Sequence, residues 1–181
     1  MEGGTQILDA QSMGRSITRM AHEILERNKG IDGVSIVGIR TRGATLANRI
    51  ADKLLAIEGE RPSVQALDTR PFRDDIREKS QEACLSNKLD VEGRTIILVD
   101  DVLYTGRTVR AGLDALMASG RATFVQLATL IDRGHRELPI RPDYVGKNVP
   151  TSRDEEIVVQ FTEDDGQDGV WIARRANEMG R

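Results

Sequence analysis

Two adjacent carboxylates and a hydroxyl-rich turn lie close together near the middle of the chain. Asp100 and Asp101 are followed by the turn Thr105–Thr108, which is Thr-Gly-Arg-Thr. A turn that opens into a helix offers free backbone N–H groups to a phosphate, and its glycine lets the backbone come close. Carboxylates instead suit sugar hydroxyls, or a Mg²⁺ carried by the ligand. The pattern therefore predicts a site for a phosphorylated sugar.

A buried strand and a helix are predicted to hold these groups in place. Ile96–Val99 is an unbroken aliphatic run, typical of a strand that is buried on both faces of a parallel sheet. Apolar residues with helical spacing follow at Val109, Leu113, Leu116 and Met117. Because ligands of open α/β sheets bind beyond the carboxyl ends of strands, we expect the ligand at this boundary.

A second strand that ends in a basic turn lies earlier in the chain. Val34–Ile39 is mostly apolar, and Arg40–Gly43 stands between it and a helical pattern. The apolar positions of that pattern are Leu46, Ile50, Leu54 and Leu55. Such a turn is typical of an anion site and equally of an ordinary surface loop, and the residues alone leave both interpretations open.

Residues 9–28 are predicted to form an amphipathic helix. Its apolar positions are Met13, Ile17, Met20, Ala21, Ile24 and Leu25. On the opposite side, Arg15, Thr18, Arg19 and His22 fall within an arc of about 100°. A solvated outer face is the ordinary explanation for such residues, and a binding surface is the alternative.

The rest of the chain combines further strands with two unusual connections. Strands are predicted at Ser63–Leu67, Thr123–Ile131, Ile157–Phe161 and Val170–Ile172. Residues 68–89 are highly charged and too long for a simple connection, which predicts a mobile lid or a hairpin arm. The segment after Asp132 contains Pro139, Pro142 and Pro150, so we expect irregular structure there.

The composition is that of a single globular domain. Of the 181 residues, 39% are hydrophobic and 30% are charged, and the single cysteine, Cys84, excludes an internal disulfide. No segment is apolar enough to span a membrane and no signal pattern begins the chain, so we expect a cytoplasmic protein with no membrane partner.

The net charge of −3 argues against a broadly basic nucleic-acid binder. The charge is unevenly distributed, however. Residues 133–153 carry five basic side chains against two acidic ones, whereas residues 154–181 carry eight acidic side chains against three arginines. Any contact with nucleic acid must therefore be a local patch.

The segment Val99–Thr108, which is Val-Asp-Asp-Val-Leu-Tyr-Thr-Gly-Arg-Thr, resembles the phosphoribosyl-pyrophosphate (PRPP) binding motif of type I phosphoribosyltransferases. It is most similar to one branch, the bifunctional pyrimidine-operon attenuator / uracil phosphoribosyltransferase family. Supporting stretches are Arg19–Glu23, Thr41–Gly43, Phe72–Asp75, Asp132–Arg141 and Gly146–Ser152. The resemblance covers nearly the whole chain.

The resemblance implies a fold and an activity. The fold is α/β, with a mostly parallel central sheet flanked by helices, a small hood from about 133–181 plus the N-terminal segment, and a flexible lid at about 68–89. The reaction is uracil plus PRPP giving UMP and pyrophosphate, with Mg²⁺ carried by PRPP and no dedicated protein metal site. The same family implies an RNA-binding attenuator that senses UMP or UTP on pyrimidine-operon leader mRNA, acting as a homodimer or a larger homo-oligomer. A phosphoribosyltransferase for another base, with no RNA role, is the alternative.

The resemblance also implies roles for individual residues. Asp100 and Asp101 hold the ribose hydroxyls, and with Arg42 they are the expected catalytic residues. Pyrophosphate is expected at Thr41, Arg42 and Gly43, and the 5′-phosphate at Thr105, Gly106, Arg107 and Thr108. Further substrate contacts are expected from Arg73, Val102, Leu103, Tyr104, Arg133 and Ile157. The RNA-binding residues are expected to be Arg15, Thr18, Arg19, His22, Arg27, His135, Arg136, Arg141 and Lys147.

Tyr104 favours a pyrimidine as the base. Purine-type relatives carry an acidic residue three positions after the second aspartate, where it acts on the base, and this chain has Tyr104 there. This difference also leaves no obvious general base.

Overall fold

A computed structural model describes residues 4–73 and 88–174 of the chain, so residues 74–87 of the predicted lid lie outside the described residues. The described strands are β1 (Thr5–Leu8), β2 (Val34–Ile39), β3 (Ser63–Leu67), β4 (Thr95–Leu103), β5 (Phe124–Asp132), β6 (Tyr144–Asn148), β7 (Glu155–Gln160) and β8 (Gly169–Arg174). The described helices are α1 (Ala10–Asn28), α2 (Arg42–Glu58), α3 (Arg107–Ser119) and α4 (Thr162–Asp165), with a 3-10 turn at Arg70–Phe72.

Five parallel strands form the main sheet, in the order β3-β2-β4-β5-β6. The aliphatic run of β4 lies at the centre, and Ile96, Ile97, Leu98 and Val99 are each at most 1% exposed. Helices α1, α2 and α3 cover the sheet and close its core, because each presents an apolar stripe to it. The predicted α/β fold class is confirmed, and the two strands that lead into the candidate turns, β2 and β4, are direct neighbours.

Helix α1 is capped by Asp9 at its start and by Lys29 at its end. Asp9 accepts a hydrogen bond from the Ser12 backbone N–H at 2.7 Å, which satisfies one of the free amides of the first turn. Lys29 adopts the left-handed conformation, with φ of 57°, and closes the last turn. The six predicted apolar residues are all buried, so the opposite polar face is left outward as predicted.

Two predicted apolar positions differ from the structure. Met117 of α3 is 68% exposed, and Leu55 of α2 is 41% exposed. Val109 and Leu116 are buried and fill the seam under α3. The apolar stripe of each helix is thus narrower than its sequence pattern indicates.

A second, antiparallel sheet has the order β1-β8-β7. It joins the N-terminal strand to the two strands predicted near the C-terminal end, and α4 lies in the connection between them. The hood was predicted from the N-terminal segment and about 133–181, and β1, β7 and β8 belong to these segments. Their role in binding a base stays a prediction.

The expectation of irregular structure after Asp132 is wrong over β6. Tyr144–Asn148 pairs parallel to β5, with Tyr144 opposite Ala128, and completes the main sheet. Pro142 and Pro150 lie outside the strand, so neither interrupts its hydrogen bonds. That part of the 133–181 segment belongs to the main sheet and not to a separate hood. Within the described residues, no helix is both long and apolar enough to cross a bilayer.

Candidate active site

The acidic pair lies inside the carboxyl end of β4. The strand runs on to Leu103, four residues beyond the predicted run, so Asp100 and Asp101 are held by β-sheet pairing. Asp100 is only 7% exposed, and its Oδ1 accepts the Asp101 backbone N–H at 3.1 Å. Burial raises the pKa of the Asp100 carboxyl well above its ordinary value, and the charge of Asp101 raises it further. Two acids held this close favour a ligand that brings hydroxyl donors or positive charge.

The phosphate-type turn follows directly and opens α3. Gly106 has φ of 92°, a conformation that side chains other than glycine rarely adopt, and it precedes the first helical residue, Arg107. The first helical bond joins the Arg110 N–H to the Gly106 carbonyl, so the preceding amides have no partner within the helix. This geometry presents several N–H donors to one anion.

The second basic turn lies against the acidic pair. A methyl group on Gly43 would lie 2.7 Å from the Val99 carbonyl oxygen and 3.2 Å from the Asp100 α-carbon. A methyl group on Gly38 would lie 2.5 Å from the α-carbon of Ala44. Only glycine fits at these two positions, and the start of α2 therefore reaches the edge of the candidate site. The Arg40–Thr41 peptide, just before this helix, is cis.

Arg42 is held by a carboxylate from the second sheet. Its Nε donates to Asp165 Oδ2 at 3.2 Å and its Nη2 to Asp165 Oδ1 at 2.7 Å. The Arg42 charge also opposes the rise that burial produces in the pKa of Asp101. Arg42 thus lies between the acidic pair and α4, and no local sequence pattern relates it to Asp165.

Two further contacts join the same faces of α2 and the β7–β8 connection. Thr45 Oγ1 donates to Asp164 Oδ2 at 2.6 Å, and Arg49 Nη2 donates to Asp168 Oδ1 at 2.7 Å. The hydrogen bonds from Arg49 lower the pKa of Asp168 to about 2. The β7–β8 connection therefore links the second sheet to α2, although its sequence shows only that it is acidic.

Tyr104 packs between two residues from the loop after β5. The Arg133 guanidinium carbon lies 4.0 Å from the centre of the Tyr104 ring, and the His135 ring meets that ring edge-on at 5.9 Å. Arg133 is 3% exposed and donates to the Glu155 carbonyl at 2.7 Å and to Thr151 Oγ1 at 3.0 Å. Arg133 is thus a buried brace under the tyrosine.

Two other predicted substrate residues lie in contrasting places. Ile157 is buried in β7 within the same apolar cluster against which Val102 packs. Arg73 ends the 3-10 turn with its backbone N–H on the Arg70 carbonyl at 3.3 Å. Arg73 is the last described residue before the 74–87 segment, so most of the predicted lid cannot be placed beside the site.

The polar face of α1 forms a shallow depression, which we call the α1 depression. It is lined by Gln11, Gly14, Arg15, Thr18, Arg19, His22 and Lys53. Lys53 comes from α2 and was not predicted from sequence. Arg19 donates to the Val145 carbonyl at 2.9 Å and to the Gly146 carbonyl at 2.7 Å, so the depression adjoins β6.

A cleft of about 660 Å³ contains the second predicted RNA-binding group. His135, Arg136 and Arg141 line it. Arg136 is turned inward, with Nη1 on the Tyr104 carbonyl at 2.8 Å and Nη2 on Asp132 Oδ2 at 2.5 Å. The other two predicted basic residues are tied to their surroundings: Arg27 pairs with Asp143 at 2.6 Å, and Lys147 donates to the Ile7 carbonyl at 3.2 Å. The predicted RNA residues thus form two neighbouring patches, and several of them also brace the fold.

Comparison with known proteins identifies the family. The phosphoribosyl transferase domain family matches residues 3–165. The chain is 54% identical over 169 residues to the pyrimidine operon regulatory protein of Lactococcus lactis subsp. lactis strain IL1403, covering 93% of this chain and 96% of that protein. It is 55% identical over 176 residues to the bifunctional protein PyrR of Halalkalibacterium halodurans, covering 94% and 98%. This chain belongs to the PyrR family of phosphoribosyltransferases.

Solved structures confirm the predicted type I phosphoribosyltransferase fold of this PyrR-family chain. The hypoxanthine-guanine phosphoribosyltransferase of Leishmania tarentolae, in complex with GMP, matches with a TM-score of 0.73 over 97% of this chain and 99% of that chain. The hypoxanthine phosphoribosyltransferase of Trypanosoma cruzi, in complex with IMP, matches with a TM-score of 0.69 over 93% and 89%. Identities of 16% and 12% mean that the likeness concerns the fold alone.

A metal ion at the PyrR-family site would depend on the acidic pair. Within residues 4–73 and 88–174, no three His, Cys, Asp or Glu side chains are grouped as a metal site. Asp100 and Asp101 nevertheless offer the carboxylate oxygens that Mg²⁺ prefers, at a place where burial disfavours their unpaired charge. This donor set suits an ion that arrives with a phosphorylated sugar.

Proposed function

We propose that this chain transfers the phosphoribosyl group of PRPP to uracil, giving UMP and pyrophosphate, and that it also regulates pyrimidine-operon transcripts by binding their leader RNA. The observation that carries the proposal is the acidic pair at the end of β4, with Asp100 buried and Asp101 half-buried, next to two turns that contain glycine. The double role follows the names of its relatives, which are bifunctional or pyrimidine operon regulatory proteins. The proposal places the protein in the cytoplasm, where it works as a homodimer or a larger homo-oligomer.

Each part of the enclosed site has a proposed task. The amides and hydroxyls of Thr105–Thr108 hold the 5′-phosphate, and Thr41–Gly43 hold the pyrophosphate. Asp100 and Asp101 accept hydrogen bonds from the ribose hydroxyls and contact the Mg²⁺ that PRPP carries. Positive charge develops at the C1 carbon as pyrophosphate leaves, and the two carboxylates stabilise it by their fixed proximity. Catalysis of this kind needs positioning more than a nucleophile, which agrees with the rigid strand-end placement of both acids.

Uracil is the proposed base because of Tyr104. Its ring lies on the Arg133 guanidinium and offers a flat face, with no carboxylate at this position to act on a purine. The buried Arg133 also connects the tyrosine to the carbonyls of Ser152 and Glu155. Glu155 begins β7, the strand that contains the proposed base-contacting residue Ile157.

The catalytic proposal is tested by turnover with uracil, hypoxanthine and orotate under identical PRPP and Mg²⁺ concentrations. We expect turnover with uracil and at most a small fraction of that rate with the other two bases. Asp101→Asn should lose most of the activity while staying folded, with a melting temperature no lower than that of the wild type. Preference for hypoxanthine or orotate, or wild-type turnover in Asp101→Asn, would contradict the assignment.

The regulatory proposal rests on the two neighbouring basic patches. UMP or UTP in the PRPP site would favour binding of leader RNA to the α1 depression and the cleft. Phosphate contacts from basic side chains make such binding weaken with salt, and a single-stranded loop is the expected sequence-specific target.

Titration of leader RNA with and without UMP, at two salt concentrations, tests this role. We expect tighter binding with UMP, weaker binding at higher salt, and loss of affinity in His22→Ala and Lys53→Ala. Arg121→Ala removes a comparable positive charge from an exposed position outside both patches, so it serves as the control and should bind like the wild type. RNA affinity that ignores nucleotide, salt and the first two substitutions would refute the regulatory role.

A further inference from the structure

Residues 133–140, which we call the bracing loop, pack against the turn Thr105–Thr108, which we call the phosphate turn. The Glu137 N–H donates to the Thr105 carbonyl at 3.0 Å. Arg136 Nη1 donates to the Tyr104 carbonyl at 2.8 Å, and a methyl group on Gly106 would lie 3.3 Å from Ile140 Cδ1. The backbone of the turn is therefore coupled mechanically to the bracing loop.

One of these fastenings joins opposite charges. Arg107 Nε donates to Glu137 Oε2 at 2.6 Å, and the two side chains are 48% and 52% exposed. Arg107 is also the cation of the turn proposed to hold the 5′-phosphate. A phosphate dianion bound there attracts the guanidinium and repels the carboxylate. Ligand and Glu137 therefore compete for one guanidinium.

The other side of the bracing loop faces the 660 Å³ cleft. His135 and Arg136 belong to the loop, and Arg141 follows it directly. Arg136 uses Nε, Nη1 and Nη2 on oxygens of Ile140, Tyr104 and Asp132, so its guanidinium is already paired with protein oxygens while the loop is held in place. The loop is thus a wall shared by the phosphate turn and the proposed RNA patch.

We propose that Glu137 couples nucleotide binding to RNA binding: the nucleotide 5′-phosphate displaces Glu137 from Arg107, and the released bracing loop exposes the cleft to RNA. This inference rests on the proposed function and names the residue through which nucleotide bound in the PRPP site affects RNA binding. The Arg107–Glu137 pair is the element with two states, closed without phosphate and open with it. Coupling between the two sites is reciprocal, so RNA should tighten UMP binding by the same factor.

Glu137→Gln tests the coupling by removing the competing charge while keeping the size of the side chain. The measurements are the Kd of UMP, and the Kd of leader RNA with and without saturating UMP, at one ionic strength. Since an ion pair this exposed contributes little, we expect UMP to bind about two- to fivefold more tightly in the variant. The factor by which UMP tightens RNA binding should fall by a similar amount.

Asp114→Asn is the matched control. Asp114 pairs with Arg110 on the same helix, at 2.9 Å and with similar exposure, but does not reach the bracing loop. It removes one negative charge from the same region and should leave the nucleotide effect on RNA unchanged.

Two results would overturn the inference, and they are distinguishable. A normal nucleotide effect on RNA in Glu137→Gln would refute the coupling role while leaving the proposed function intact. An equal change in Asp114→Asn would show that the effect comes from removing any negative charge in this region, and it would also refute the coupling role of Glu137. Wild-type protein that binds RNA equally with and without UMP would refute the regulatory function itself, and the coupling with it.

Discussion

Gly43→Ala is expected to damage catalysis although alanine is the better helix former. Gly43 is the second residue of α2, and alanine there gains up to about 1 kcal/mol of helix propensity over glycine. The added methyl group would lie 2.7 Å from the Val99 carbonyl oxygen, where ordinary contact begins at 3.4 Å. The turn or the end of β4 must therefore move by about 0.7 Å, and such overpacking costs about 1–3 kcal/mol.

The displacement falls next to the acidic pair, because Val99 immediately precedes Asp100. A misplacement of about 1 Å can cost a hundredfold in rate, so a shift of about 0.7 Å should lower kcat/KM by roughly ten- to a hundredfold. The free energy of unfolding should fall by no more than about 2 kcal/mol, since the helix gain offsets part of the strain. Steady-state kinetics with uracil and PRPP, together with thermal unfolding, measure both quantities.

Gly112→Ala is the matched control for this prediction. Gly112 lies on α3 and also faces β4, but a methyl group there would meet only side-chain carbons, with Leu98 Cδ2 at 3.3 Å and Ile39 Cδ1 at 3.4 Å. Flexible side-chain ends can shift by a few tenths of an ångström, so kcat/KM should stay within about twofold of the wild type. Wild-type kinetics in Gly43→Ala, or an equal loss in both variants, would refute the argument from close approach.

Two further predictions concern carboxylates at the site. Asp165→Asn removes the acid that competes with pyrophosphate for Arg42, so the KM for PRPP should fall by about two- to fivefold. Asp164→Asn removes only the charge of the carboxylate that accepts from Thr45, so it should leave the KM unchanged. A raised KM in Asp165→Asn would show that the acid positions Arg42 instead. Asp100→Asn should abolish turnover yet raise the melting temperature at pH 8 and raise it less at pH 4. Folding raises the pKa of Asp100, so the folded protein binds more protons than the unfolded protein and loses stability as the pH rises through the folded pKa. A melting temperature that does not rise at pH 8 in Asp100→Asn would contradict this pH dependence.

The parts of the fold that were predictable depend on local patterns. The run Ile96–Val99 indicated the buried central strand, because both faces of such a strand are covered and all of its side chains are therefore mostly apolar. Helix α1 was predicted to within one residue, since its apolar residues recur at helical spacing and Asp9 can cap its start. The turn Thr105–Thr108 and the helix after it were also visible in sequence, because the glycine and the apolar pattern that follows are local features. That this turn holds a phosphate stays a prediction.

The contacts that escaped prediction join residues far apart in the chain. Arg42 and Asp165 are separated by 123 residues, and no local pattern relates them. Lys53 joins the α1 depression only because α1 and α2 pack together. Strand β6 was missed because five residues between two prolines are too short to show an alternation, although prolines that bound a strand do not interrupt it.

A crystal structure with UMP tests the central claim most directly. The account predicts the 5′-phosphate on the amides of Thr105–Thr108, with ribose hydroxyls within about 3 Å of Asp100 or Asp101 and the Arg107–Glu137 contact open. A nucleotide bound elsewhere, with the carboxyl end of β4 lacking the ligand, would contradict the account.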